Sequence, residues 1–166
     1  MTFQLNGSQS TSKSDLYDKL AAELSSLLAG ERDLVANAAN FAALVFHSLP
    51  DLNWAGFYFV KDRELVLGPF QGKPACMRIA FGRGVCGFAA AKRATTIVPN
   101  VHEFPGHIAC DMESKSEVVI PLIKDGRFIG VLDLDSPMLA RFDDADATGL
   151  ETLLKILLAS TETDVN

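Results

Sequence analysis

Apolar positions recur at helical spacing twice near the start of the chain. Ser12 with Asp15 reads as a capping pair, after which Tyr17, Leu20, Leu24, Leu27 and Leu28 share one face until Gly30. From about Asp33 a second helix carries Leu34, Ala38, Phe41 and Val45 on one side and stops at Pro50. The pattern then turns strand-like. "NWAGFYFV" is aromatic and β-like, "KDRE" reads as a polar turn, and "LVLGPF" as the returning strand. "MRIAF" predicts a further strand, "VCGFAAAKR" a short helix entered through glycines, and "TTIVPN" another strand. "EVVIPLI" and "RFIGVLDLD" flank Asp125-Gly126, a strong hairpin signal. A last helix starting near Asp143 or Asp144 turns Leu150, Leu153, Leu154 and Leu157 inward. These elements predict an α+β domain, a central, mainly antiparallel β-sheet with N-terminal and C-terminal helices packed on it. Residues 1–13 read as a flexible polar tail and 14–162 as a single domain.

The chain's 166 residues are enough to bury a core without metal or cross-links. A formal charge of −6 argues against nucleic acid or an anionic membrane as the main partner. No apolar run reaches the ~18 residues that span a bilayer, and "MTFQLNGSQSTSKSD" lacks the core of a signal peptide. The cysteines number three, which does not make a secreted disulfide framework. A reducing, cytoplasmic setting is the expectation.

All three cysteines fall between Cys76 and Cys110, and three chemistries compete for them. Gly82-Arg83-Gly84-Val85-Cys86-Gly87 matches G-x-G-x-x-G, but that fingerprint belongs in a parallel βαβ unit and hairpins surround it here. Zinc would draw on Cys76, Cys86, Cys110 and His102 or His107, yet no cysteine pair has the close spacing of structural zinc sites. Thiol redox chemistry needs a thiolate nucleophile and a resolving cysteine within loop reach. Cys110 lies in a long polar loop beside His107, Cys76 follows the flexible "QGKPA", and Cys86 has neighbours that look like packing. Ordinary small buried residues remain an equal alternative on the spacing alone.

"NWAGFYF", "LVLGPFQGKPAC", "RIAFGRGVCG", "NVHEFPGHIACD", "SEVVIPL" and "GVLDLDSP" together closely resemble the free methionine-(R)-sulfoxide reductases, a family built on the GAF fold. The match runs in order from Asn53 to the final helix. It implies reduction of free methionine-(R)-sulfoxide to methionine, with Cys110 as nucleophile and Cys76 as the main resolver through a Cys76–Cys110 disulfide that thioredoxin reduces. Cys86 would be a secondary thiol. The implied substrate pocket is Trp54, Glu117, Asp133 and Asp135, and the implied assembly a homodimer. No cofactor and no metal are expected.

The residues can be read for that chemistry directly. A sulfoxide oxygen leaves more easily when it is protonated, and a carboxylic acid held partly neutral by a second carboxylate could supply the proton. Asp133 and Asp135, two apart on a strand, point to one face. Counting from the Asp125-Gly126 turn places Glu117 roughly opposite Asp133. The same acids could receive the ammonium of a free amino acid. Trp54, the single tryptophan, could hold the substrate's thioether. Read without the resemblance, Asp133 is more readily a solvated residue between Leu132 and Leu134 than an acid of a site, and Trp54 equally a core residue. The rival class is a GAF binding module sensing a small ligand or redox state. The end of the chain in "ASTETDVN", with no output domain, is an expectation against it.

Overall fold

The computed structural model describes residues 12–108 and 110–163. The expected flexible tail falls almost wholly on residues 1–11, outside the described part. Helix α1 spans Lys13–Leu27, with Ser12 at its N-cap accepting from the Asp15 N–H. Helix α2 (Leu34–Ser48) is capped by Asp33, and α4 (Asp144–Ser160) by Asp143 in a reciprocal capping box with Asp146. Among the described residues six strands form one sheet: β1 (Trp54–Lys61), β2 (Glu64–Gly72), β3 (Arg78–Ala80), β4 (Thr96–Val98), β5 (Ser116–Lys124) and β6 (Arg127–Ser136). Their order is β3-β2-β1-β6-β5-β4 and every neighbouring pair is antiparallel. Among the described residues no parallel βαβ unit surrounds the glycine motif, which instead turns into α3 (Gly84–Lys92).

The sheet separates two cores because successive side chains point to opposite faces. Ala55, Phe57, Val118, Ile120, Leu132 and Leu134 pack with α1, α2 and α4. Trp54, Tyr58, Val119 and Val131 face the other way, where Val85, Cys86 and Ala89 of α3 cover them. Tyr17 joins α1 to α4: its hydroxyl donates to Asp146 at 2.9 Å and its ring lies over Gly149, where an added Cβ would come within 2.2 Å.

The hairpin register differs from the count made from the turn. Glu117 pairs with Asp135, and Asp133 pairs with Val119. Unbroken pairing outward from Lys124 and Arg127 would set Glu117 opposite Leu134, and a bulge moves it one residue further, to Asp135. Ile123 pairs with Phe128 but Leu122 pairs with Gly130, so Ile129 is an extra residue on β6. Phe128 packs on the α3 side and Ile129 on the side of the three helices. Simple alternation from Phe128 would have sent Asp133 and Asp135 toward the three helices. The extra residue turns both acids to the α3 side, the side on which Glu117 stands. Gly130 permits the tight approach, since a Cβ there would lie 2.2 Å from the Tyr58 carbonyl oxygen.

Candidate active site

On the α3 side, neighbouring strands bring residues into rows. Trp54 of β1 pairs with Asp135 of β6, and Asp135 pairs with Glu117 of β5. In the next row Gly56 pairs with Asp133. The Trp54 ring stacks on Phe70 at 5.3 Å and near Tyr58 at 5.9 Å, and its Nε1 donates to the Lys73 carbonyl at 3.1 Å. Gly56 makes room for this: a Cβ would come within 2.3 Å of Phe70 Cβ and 2.7 Å of the Trp54 ring. Gly56→Ala is therefore expected to push the indole off its seat, at about 1–3 kcal/mol of stability. Because the chain has one tryptophan, its fluorescence reports the shift alongside a thermal melt. An unchanged spectrum and melt would show that the ring does not need the glycine.

These rows floor a cavity whose empty space, open mouth and adjoining solvent included, is about 540 Å³. Trp54, Tyr58, Cys86, Glu117, Asp133 and Asp135 line it from the sheet and α3, and Ala75, His107, Ile108 and Cys110 from two loops. The loops follow β2 and β4, and a disulfide between Cys76 and Cys110 joins them, with Cα atoms 6.0 Å apart. Lys73 adds a second tie, donating to Glu113 at 2.6 Å and lying 3.4 Å from Asp111. Asn53, just before β1, holds the same segment by donating to Asp111 at 3.2 Å and Ser114 at 3.0 Å. Cys110 is exposed at the mouth, Cys76 is half-buried beside it, and Cys86 lies at the floor with only 4% exposed.

The three acids sit where charge is costly. Glu117 and Asp133 are each 6% exposed, and Asp135 is half-buried. Burial, then the Asp133 and Asp135 charges, push Glu117 well above the usual carboxylate range. Asp135 rises for the same reasons, burial first and Asp133 next. Burial lifts Asp133 to about 6, against the opposing pull of hydrogen bonds with Cys86 and Glu117. The trio therefore retains protons near neutrality that exposed carboxylates would lose. His107 Nε2 lies 3.8 Å from Glu117, yet burial, with His102 next, lowers its pKa. The contact is one between neutral groups, because a protonated Glu117 offers no counter-charge. Burial also pushes the Cys86 thiol up, with Asp133 and Glu117 adding to it, so Cys86 is the thiol least suited to ionise.

Every expected site residue lines this cavity except Cys76, which is held at its mouth through the disulfide. Tyr58 was not among them. Alternation places it on the face of Trp54, four residues earlier, and it is 2% exposed at the cavity wall. Burial and the nearby Asp133 raise its hydroxyl pKa, so it stays a neutral phenol. Gly56 and Asn53 carried no sequence signal of their own, since their roles depend on strand pairing and loop placement.

A curved antiparallel sheet with a ligand pocket on one face and a cysteine pair at its mouth defines a small-molecule-binding domain equipped for thiol redox chemistry. The GAF domain family model matches residues 13–158. The free methionine-R-sulfoxide reductase of Escherichia coli is 49% identical over 153 residues, covering 90% of this chain and 93% of that protein. The structure of the Neisseria meningitidis free methionine-R-sulfoxide reductase in complex with its substrate superimposes with a TM-score of 0.88 at 48% identity, covering 95% of this chain and 94% of the other. A Burkholderia vietnamiensis GAF protein described as a sensor also has a TM-score of 0.88, at 59% identity over 91% of this chain and 96% of its own. The chain belongs to the GAF domain family, in the branch that holds the free methionine-R-sulfoxide reductases.

Proposed function

We propose that this protein reduces free L-methionine-(R)-sulfoxide to L-methionine in the cavity between the sheet and the two loops. The observation that carries the reading is the pairing of Cys76 with Cys110 at the mouth of a pocket floored by three acids, two of them buried. The Cys110 thiolate attacks the sulfoxide sulfur. As the S–O bond breaks, the substrate oxygen needs a proton, which a neutral carboxylic acid of the Glu117, Asp133 and Asp135 group donates. The hydroxide so released adds to the Cys110 sulfur and breaks the sulfur–sulfur bond formed in the attack, so methionine leaves and Cys110 is left as a sulfenic acid. The Cys76 thiolate then attacks the Cys110 sulfur, hydroxide leaves and takes a proton to become water, and the Cys76–Cys110 disulfide results.

The free amino acid brings an ammonium that a residue within a peptide lacks. The acid trio can hold that charge, and Asp133 Oδ1, buried and without a hydrogen-bond partner, is an acceptor ready for it. Trp54 and Tyr58 give the thioether an aromatic wall. Thioredoxin is the proposed reductant of the disulfide, because Cys110 is open to an incoming thiolate. Cys86 serves as a secondary thiol in this scheme. The proposed setting is the cytoplasm, and the proposed assembly a homodimer. No helix among the described residues is long and apolar enough to cross a membrane.

The test is NADPH consumption with thioredoxin and thioredoxin reductase, offering free methionine-R-sulfoxide, the free S epimer and a peptide-bound sulfoxide. Sustained turnover with the free R epimer alone is expected. A single oxidation followed by no turnover would overturn the enzyme and leave a redox-sensing binding module.

A further inference from the structure

The pocket floor groups three side chains in a way the reduction steps do not require. Cys86 Sγ, one Glu117 oxygen and one Asp133 oxygen all lie within 4.8 Å of one another, and all three residues are buried. Cys86 Sγ and Glu117 Oε1 are 3.9 Å apart. A thiolate and a carboxylate oxygen on one tetrahedral zinc ion, at bond lengths of about 2.3 and 2.0 Å, sit about 3.5 Å apart. That pair needs only a few tenths of an ångström of closure, and the Asp133 oxygen, within 4.8 Å of both, at most about 1.5 Å. A second observation is independent of that spacing. Asp133 Oδ1 is a buried carboxylate oxygen with no hydrogen-bond partner, on a side chain lining the same cavity. A buried, unsatisfied acceptor is stabilised by whatever positive charge reaches it.

We propose that Cys86, Glu117 and Asp133 form a binding site for one divalent cation of the zinc type, reached through the pocket mouth. This donor set is not the one the sequence offered for zinc. Cys76 and Cys110 are joined to each other, and the two carboxylates come from strands whose register the bulge on β6 decides. One thiolate and two carboxylate oxygens suit a borderline cation. They are too few and too soft for calcium or magnesium, which take six or more oxygens. Binding converts the Cys86 thiol to a thiolate and displaces the protons held by the acids, so metal uptake releases protons to solvent. An ion there also occupies the ground assigned above to the sulfoxide oxygen and the ammonium. On the proposed function, zinc and the amino acid therefore exclude one another.

The disulfide makes the test clean, because in the oxidised protein Cys86 is the free thiol. Cadmium is the probe: its bond to a thiolate gives an ultraviolet charge-transfer band. Titrating the oxidised full-length protein with Cd²⁺ is expected to raise the band of a single thiolate, saturating at one equivalent and bleached by added Zn²⁺. Cys86→Ser should lose the band. Glu117→Gln and Asp133→Asn keep the thiol and the side-chain shape, and each should weaken binding at least tenfold, with circular dichroism checking the fold. No band at one equivalent in the oxidised protein would overturn the site. Equal affinity in both carboxamide variants would also overturn it, leaving a lone thiol. Free methionine is expected to displace the metal. A band that forms as described but resists methionine would overturn the exclusion and separate the metal site from the substrate pocket.

Discussion

Cys110→Ser is expected to abolish turnover of free methionine-R-sulfoxide, by a thousandfold or more, roughly as loss of other catalytic nucleophiles does. A serine hydroxyl at the same place is not ionised near neutrality and cannot carry the oxygen as a sulfenic acid. Cys86 offers no rescue. It is buried at the floor, and its surroundings favour the neutral thiol. Cys76→Ser should fail differently. The first turnover leaves Cys110 oxidised without its main resolving thiol, and the buried Cys86 is poorly suited to replace it, so one equivalent of methionine forms per active site and thioredoxin-driven cycling falls away. Rapid quench in the absence of reductant separates the variants: one equivalent for Cys76→Ser and none for Cys110→Ser. One equivalent from both would transfer the nucleophile's role to Cys86.

Asp133→Asn is the second large effect, and its signs on activity and stability are opposite. Activity should fall at least tenfold, because an amide can neither donate the carboxylic proton nor turn a negative charge toward the substrate ammonium. Stability should rise at neutral pH. Burial lifts Asp133 from its ordinary 3.8 to about 6, so between those values the folded chain holds a proton the unfolded chain releases. The folded state is thus favoured by this group below pH 3.8, and that contribution is lost as pH rises through 6. By pH 8 the charged, buried carboxylate costs up to about 3 kcal/mol, which the amide avoids. Melting temperatures should differ by several degrees at pH 8, with the variant higher, and converge near pH 4. A variant less stable than the parent at both values would mean the carboxylate is held by favourable contacts. A site that weakens the fold in its working state is a common trade of stability for activity.

The helices are legible in the sequence because their apolar spacing and capping residues are local: Ser12, Asp33 and Asp143 each cap a helix where the pattern starts. The common face of Asp133 and Asp135 also follows from period two. Glu117 is different. Its row depends on Ile129, an apolar residue in an apolar run, and nothing in "RFIGVLDLD" marks which residue is extra. The burial of Asp133 was equally hidden, since Leu-Asp-Leu-Asp fits a solvated face as well as a covered one. What covers it is α3 and the segment around His107, both distant in the chain. The pairing of Cys76 with Cys110 came from family resemblance, because 34 residues of separation select no partner among three cysteines. Tyr58 could have been found by extending the alternation from Trp54.

The bulge at Ile129 has a consequence for anyone moving this chemistry to another scaffold. It works as a phase shifter between the two ends of the β5–β6 hairpin. The turn end sets which strands meet, and the far end presents acids on a face half a period out of step with it. Copying Glu117, Asp133 and Asp135 onto an unbulged hairpin would bury the two aspartates against the wrong layer, however faithfully the residues were matched. A transplant has to carry Ile129 and Gly130 as well, two residues that touch no substrate. Insertions or deletions between the turn and the acids would be expected in related sequences only in pairs, because a single one inverts the strand.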